Sequence, residues 1–171
     1  MDFFELVEKR RSVRSFTDAD VEEEKLQKII DAAIASPSAG NLQAYKIFVV
    51  RDKERRRLLS EAALSQEFIN EAPVSLVFFA DKARSASRYG ARGASLYAVQ
   101  DATIACTFAM LAATELGLGS VWVGAFDDSE VSRVCGAEKD LVPVAILPIG
   151  YPSETPRKTL RAGRERLVKT L

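Results

Sequence analysis

The run Arg10-Arg11-Ser12-Val13-Arg14 sets several guanidinium groups and a hydroxyl side by side near the start of the chain. Guanidinium is a planar fork of donors that matches a phosphate bidentately, and a neighbouring hydroxyl adds a further bond. A second basic cluster, Arg157, Lys158, Arg161, Arg164 and Arg166, lies near the other end. Brought together by the fold, the two clusters would suit one dianion. Between them, the stretch Pro37-Ser38-Ala39-Gly40-Asn41-Leu42-Gln43 offers a hydroxyl and two amides, which can read the carbonyls and ring N–H of a heterocycle. Val123-Gly124 has no Cβ at its second position, so a flat ligand can approach the backbone there. Each feature also has a plainer use. The arginines can form a solvated basic turn, the loop residues can serve backbone geometry, and a glycine can simply end a strand.

The chain contains no histidine, which removes Ser-His-Asp and Cys-His hydrolases, HExxH metalloproteases and nearly every zinc site. Cys106 and Cys135, far apart and without a signal peptide, read as reduced core thiols of a cytoplasmic protein, and no metal site is expected. Neither a GxGxxG nor a Walker pattern is present. Lys+Arg and Asp+Glu balance at 24 each, an argument against nucleic-acid or membrane-surface partners. Chemistry here would come with a borrowed cofactor.

These groups need elements to hold them. Asp2 is placed to cap a first helix with Phe3, Leu6 and Val7 on its apolar side. Asp20 with Glu23 reads as a capping box for an amphipathic helix carrying Leu26, Ile29, Ile30, Ala33 and Ile34. It stops at Ser36-Pro37, because the residue before proline is pushed out of the helical region. Tyr45 to Val50 is β-branched and aromatic, a strand. Asp52 opens a charged helix through Ala63, and Val74 to Ala80 has the continuous apolar character of an interior strand. Asp81 to Gly93 is polar, carries Arg84, Arg88, Tyr89 and Arg92, and reads as a mobile loop or lid.

Ala94 to Leu116 contains no Pro or Gly, and its only formal charges are Asp101 and Glu115. It would form a helix of about 34 Å, apolar nearly all round and so buried on nearly all sides. Gln100, Asp101, its threonines and Glu115 sit badly in a hydrocarbon core, so a membrane span is not expected. A chain of this size would struggle to wrap such a helix alone, which points to a second copy. Gly117 suits the left-handed residue that ends it. Ser120 to Phe126 follows as a third strand, Asp128 to Cys135 as a helix ended by Gly136, and Val142 to Ile149 as a fourth strand. Pro143 and Pro148 suggest that the last is an edge strand or irregular. From Ser153 to Leu171 the chain is a basic, unpatterned tail. Together these features predict one α+β domain over residues 1–171, with about four strands and five or six helices.

Taken in order, RRSVRSF, SPSAGNLQAYKIFVV, EAPVSLVFFA, the long helix ending LGLGSVWVGAF, and VAILPIGYPSETP with a later arginine resemble the nitroreductase family of flavoproteins. The resemblance spans almost the whole chain. It implies a nitroreductase-like α+β fold: a central, mostly antiparallel sheet of four to five strands flanked by helices, in an intertwined homodimer. It further implies FMN held in a cleft between subunits, with NADH or NADPH as electron donor and a small-molecule acceptor. Arg10, Arg11 and Ser12 match the family positions that bind the phosphate and ribityl chain, and Arg14 the cation at the N1/O2 edge of the isoalloxazine. Pro37, Ser38, Asn41 and Gln43 match the loop that reaches the flavin from the partner subunit. Val123 and Gly124 match the backbone that approaches N5. Arg161 is the best fit to the C-terminal phosphate-binding arginine, with Arg157 the second choice. Many larger members carry Glu-Gly where this chain has Val123-Gly124, so the backbone contact carries over and any role for the acid does not.

The function implied is an FMN-dependent NAD(P)H oxidoreductase. It would work by ping-pong hydride transfer through flavin N5 to nitroaromatics, quinones or flavins, with Arg14 and Gly124 at the reacting ring. Tyr89 is a candidate aromatic over the flavin. Two other readings stand beside this one: a flavin carrier or redox sensor without nicotinamide turnover, and a binder of phosphate-rich polymers through the arginine clusters.

Overall fold

The computed structural model describes all 171 residues. Strands β1 (Tyr45–Val50), β2 (Val74–Asp81), β3 (Gly119–Ser120) and β4 (Leu141–Gly150) form one antiparallel sheet in the order β1-β2-β4-β3. Because side chains alternate across a strand, β2 feeds two separate cores. Leu76 and Phe78, with Leu147 and Ile149 of β4, pack with Leu26 and Ile29 of α2 (Glu23–Ile34) and Ala105 and Ala109 of α6 (Ala98–Glu115). Val77, Phe79 and Ile146 face the other way, onto Leu59 of α3 (Lys53–Ala62), Ile69 of α4 (Phe68–Glu71) and Val131 of α7 (Asp128–Cys135). Three further helices complete the chain: α1 (Phe3–Lys9), α5 (Lys82–Arg92) and α8 (Arg164–Leu167). Eight helices form where five or six were expected, since the short α4 and α8 carry no recognisable period and α5 falls in the stretch read as a polar loop.

Local signals fix several boundaries. Asp2 caps α1 in a full capping box with Glu5, Asp52 accepts the Arg55 N–H at the start of α3, and Gly136 ends α7 in the left-handed conformation at φ 64°. The expected Asp20 box is not made. Helix α2 starts at Glu23 with Glu22 as its uncapped N-cap, and the Glu22 carboxylate turns instead to the Tyr151 hydroxyl, 2.8 Å away.

The third strand is far shorter than the Ser120–Phe126 run suggested. Pairing ends at Ser120 and resumes only as a single bridge between Val123 and Ile146. Nor is β4 an edge: it lies between β2 and β3. Its prolines are tolerated because Pro143 and Pro148 fall outside the few positions where β3 or Val123 pairs, and the β2–β4 register slips between Phe78 and Phe79.

Asp81 to Gly93 is not a loop. Asp81 accepts the Arg84 N–H and opens α5, whose polar composition is that of an exposed helix surface. At Gly90, φ 57° and ψ −143° break the helix and turn it back on itself, and a π-helical turn, Gly93–Tyr97, leads into α6. Gly93 is needed at that fold-back, since a Cβ there would lie 2.5 Å from the Ser85 carbonyl oxygen.

Helix α6 is the chain's central helix but is not buried all round. Its inner stripe is small: Ala98, Asp101, Ala102, Ala105, Cys106, Ala109 and Ala113. Thr107 and Phe108 are exposed, while Ile104 and Leu111 are half-buried. Packing against α2, β2 and β4 accounts for the apolar stripe without a bilayer. Both cysteines are buried, and burial pushes the Cys135 thiol up to about 11 and Cys106 further.

Candidate functional site

The two basic clusters meet. Residues 12–17 are tied along two other segments, which aims the arginines. The Val13 N–H donates to the Ser120 carbonyl at 3.1 Å, Ser12 pairs in parallel with Ser120, and Phe16 bridges Pro152. Farther on, the Thr17 N–H donates to the Tyr151 carbonyl at 2.9 Å, and the Ser153 N–H to the Ser15 carbonyl at 3.1 Å. The Arg14 N–H donates to Glu154 at 3.0 Å. Gly119 makes the first contact possible, because a Cβ there would stand 2.8 Å from Val13.

The result is a cleft of about 800 Å³ lined by Arg10, Arg11, Ser12 and Arg14 from one end of the chain and Arg157, Lys158 and Arg161 from the other. Lys158 is ion-paired with Glu8, whose carboxyl it draws below the usual range. Arg11 turns back to donate to the carbonyls of Glu8 and Arg10 at the end of α1. The side chains of Arg10, Arg14, Arg157 and Arg161 have no carboxylate within salt-bridge distance. Burial and the neighbouring guanidiniums of Arg161 and Arg11 hold Arg10 below the usual arginine range. Unpaired like charges this close repel, and a dianion between them relieves that repulsion.

The Pro37–Gln43 loop does not join this cleft. Pro37, Ser38 and Ala39 instead line a separate hollow of about 540 Å³ with Tyr97, Val99, Gln100, Asp101, Thr103 and Ile104, and the two hollows share no residue. Asn41 and Gln43 line neither, and bond each other at 2.8 Å. The loop is an unusual piece of backbone, with positive φ at Gly40, Asn41 and Gln43. Helix α5 lies over it: Arg84 donates to the Leu42 carbonyl, Arg88 to the Gly40 carbonyl, and any Cβ on Gly40 would strike the Tyr89 hydroxyl. Tyr89, expected over a flavin, thus packs on this loop and edge-on to Tyr97.

Val123 spends both backbone groups on Ile146 at 3.0 Å, whereas the exposed Gly124 donates its N–H to no protein acceptor. Gly124 thus presents a free donor at this strand end, as do its neighbours Trp122 and Ala125.

Sequence reasoning missed Asp101, Gly119, Glu154 and the α5 arginines as supports. Asp101 carried a signal, since a lone carboxylate in an apolar helix must find partners. The other contacts are long-range and leave no local trace.

Residues 7–66 and 59–151 match the profile of the nitroreductase family, and the chain belongs to it. A putative NADH dehydrogenase/NAD(P)H nitroreductase of Methanothermobacter thermautotrophicus is 33% identical over 91% of this chain and 80% of the relative. An FMN reductase [NAD(P)H] of Bacillus subtilis is 36% identical over 91% and 68%. A nitroreductase family protein of Streptococcus pneumoniae, 26% identical, superimposes with a TM-score of 0.90 over 99% of this chain and 100% of that one.

Proposed function

We propose that the chain, residues 1–171 acting as one domain, is an FMN-dependent NAD(P)H oxidoreductase that works as a homodimer in the cytoplasm. The observation that carries this reading is the cleft in which Arg10, Arg14, Arg157 and Arg161 stand without carboxylate partners. Its size is within the usual range for cofactor sites, and its charge fits a phosphate ester. Relatives named FMN reductase and NAD(P)H nitroreductase support the same cofactors.

The chemistry FMN supplies when bound is hydride transfer from NAD(P)H to a nitroaromatic, quinone or flavin acceptor, in two ping-pong half-reactions. Arg10, Ser12 and Arg161 bind the phosphate and the chain next to it, with Arg11 holding the end of α1 in place. Arg14 provides a fixed positive charge where the ring gains negative charge, and the Gly124 N–H provides a hydrogen-bond donor at the reacting edge. Pro37, Ser38, Asn41 and Gln43 act on the flavin of the other subunit. That division agrees with the two hollows lying apart in a single chain.

The test is the visible spectrum of the purified protein, followed by anaerobic mixing with NADH and NADPH. Oxidised-flavin bands, release of about one FMN per chain and bleaching within seconds are expected. A colourless protein that takes up no added FMN overturns the reading. A yellow protein that keeps its colour with both nucleotides leaves a flavin carrier or sensor.

A further inference from the structure

Asp101 is the only charged residue in the buried core, at 2% exposure. No cation pairs with it. Its carboxylate is occupied by the backbone of one loop: Oδ1 accepts the Ala39 N–H at 2.9 Å and Oδ2 the Ala44 N–H at 3.4 Å. An uncompensated buried carboxylate is strongly unfavourable, so these bonds are what keep it in α6. They grip the loop at both ends of a stretch that holds Gly40 at φ 56°, Asn41 at 56° and Gln43 at 48°. Asparagine enters the left-handed region readily, but at Gln43 such backbone persists only where surrounding structure enforces it. From the outside, Arg88 and Arg84 take the carbonyls of Gly40 and Leu42. Two N–H groups of the loop, those of Ala39 and Ala44, thus go inward to an anion, and two of its carbonyls, those of Gly40 and Leu42, outward to cations.

The grip leaves particular atoms free. The Ser38 Oγ accepts the Gln43 N–H at 2.9 Å, and the Gln43 amide nitrogen donates to the Asn41 amide oxygen at 2.8 Å. The Ser38 O–H, the Asn41 amide N–H groups and the Gln43 amide oxygen are left for a ligand.

We propose that Asp101 is a positioning residue: its carboxylate holds the 38–44 loop in the strained shape that presents Ser38, Asn41 and Gln43 to the isoalloxazine ring of FMN. This rests on the flavoprotein reading above. The role requires two acceptors. Asp101→Asn keeps one acceptor and turns an amide NH₂ against a backbone N–H. The bond can also be removed from the other side. Ala39 begins a 3₁₀ turn, and Ser38 before it is extended, at φ −142° and ψ 159°. Ala39→Pro therefore deletes the N–H that Oδ1 accepts without touching Asp101.

The experiment strips FMN from the full chain and measures dissociation constants of FMN and of riboflavin by flavin fluorescence, together with the midpoint potential of the bound flavin. Wild type, Asp101→Asn, Ala39→Pro and Arg161→Ala are compared. If the loop reads the ring, Asp101→Asn weakens FMN and riboflavin by the same factor, about tenfold or more, and shifts the potential. Arg161→Ala, at the phosphate, weakens FMN and leaves riboflavin unchanged. Should Asp101→Asn fail to fold, Ala39→Pro decides by the same criterion. Unchanged binding and potential in the variant that folds, or a loss confined to FMN, overturns the role. Wild type that takes up no flavin overturns the flavoprotein reading and this inference with it.

Discussion

Arg14 and Arg161 line the same cleft, and the proposed function gives them different work. Arg161 crowds Arg10, so its charge is set to act on an anion held between them. The Arg14 backbone N–H donates to Glu154, and its guanidinium has no carboxylate partner in the chain. Arg161→Ala is expected to weaken FMN binding by about 10- to 100-fold, the range for losing a charge-assisted contact, with fluorescence titration as the measurement. Arg14→Ala is expected to slow flavin reduction in stopped flow by more than it weakens FMN retention, because the charge acts chiefly on the electron-rich ring. Equal losses in both would remove Arg14 from that role. At this scale the sequence was informative. The clusters at residues 10–14 and 157–161 were visible as charge, and their convergence required only that the two ends of the chain meet. It was not visible that Arg11 would turn to the carbonyls ending α1, because that choice depends on the local path of the backbone.

Among the elements, the short strand β3 matters most, since it anchors the arginine-bearing segment. Gly119 pairs with Gly150 on one side and admits Val13 on the other. Gly119→Ala would set a methyl 2.8–2.9 Å from three side-chain atoms of Val13. The expected cost is about 1–3 kcal/mol of overpacking. That corresponds to a fall in Tm of roughly 2–12 °C, measurable by calorimetry. FMN affinity should fall with it, as Ser12 and Arg14 are pushed off the strand, and unchanged affinity would show that the anchor is not needed. Elements fixed by local rules were legible in the sequence: β1, β2, α3 and α7, with the start of α3 at Asp52 and the end of α7 at Gly136. Elements set by distant partners were not. Polar α5 looked like a loop because exposed helices and loops share a composition, and β3 was overestimated because its β-branched continuation leaves the sheet after Ser120.

At the scale of the molecule, the outer face of α6 is unfinished. Phe108 is 38% exposed, Phe3 62% and Phe4 79%, and Leu160, Leu167 and Val168 stand out from the tail. Apolar surface of this extent on one chain is what a partner subunit would cover. The wild-type protein is therefore expected to sediment as a dimer, and Phe108→Glu, which sets a charge on that face, to shift it toward monomer with loss of bound FMN. A monomer that retained full flavin would argue for a site complete within one chain. The separation of the arginine cleft from the Pro37–Gln43 loop then has a genetic consequence. Two chains crippled at opposite ends of the site, one lacking Arg161 and the other lacking the Asp101 carboxylate, are each defective alone. Mixed in one dimer of the proposed arrangement, they would pair an intact cleft with an intact loop on one side and gather both lesions on the other, so two defective alleles together would restore one intact centre.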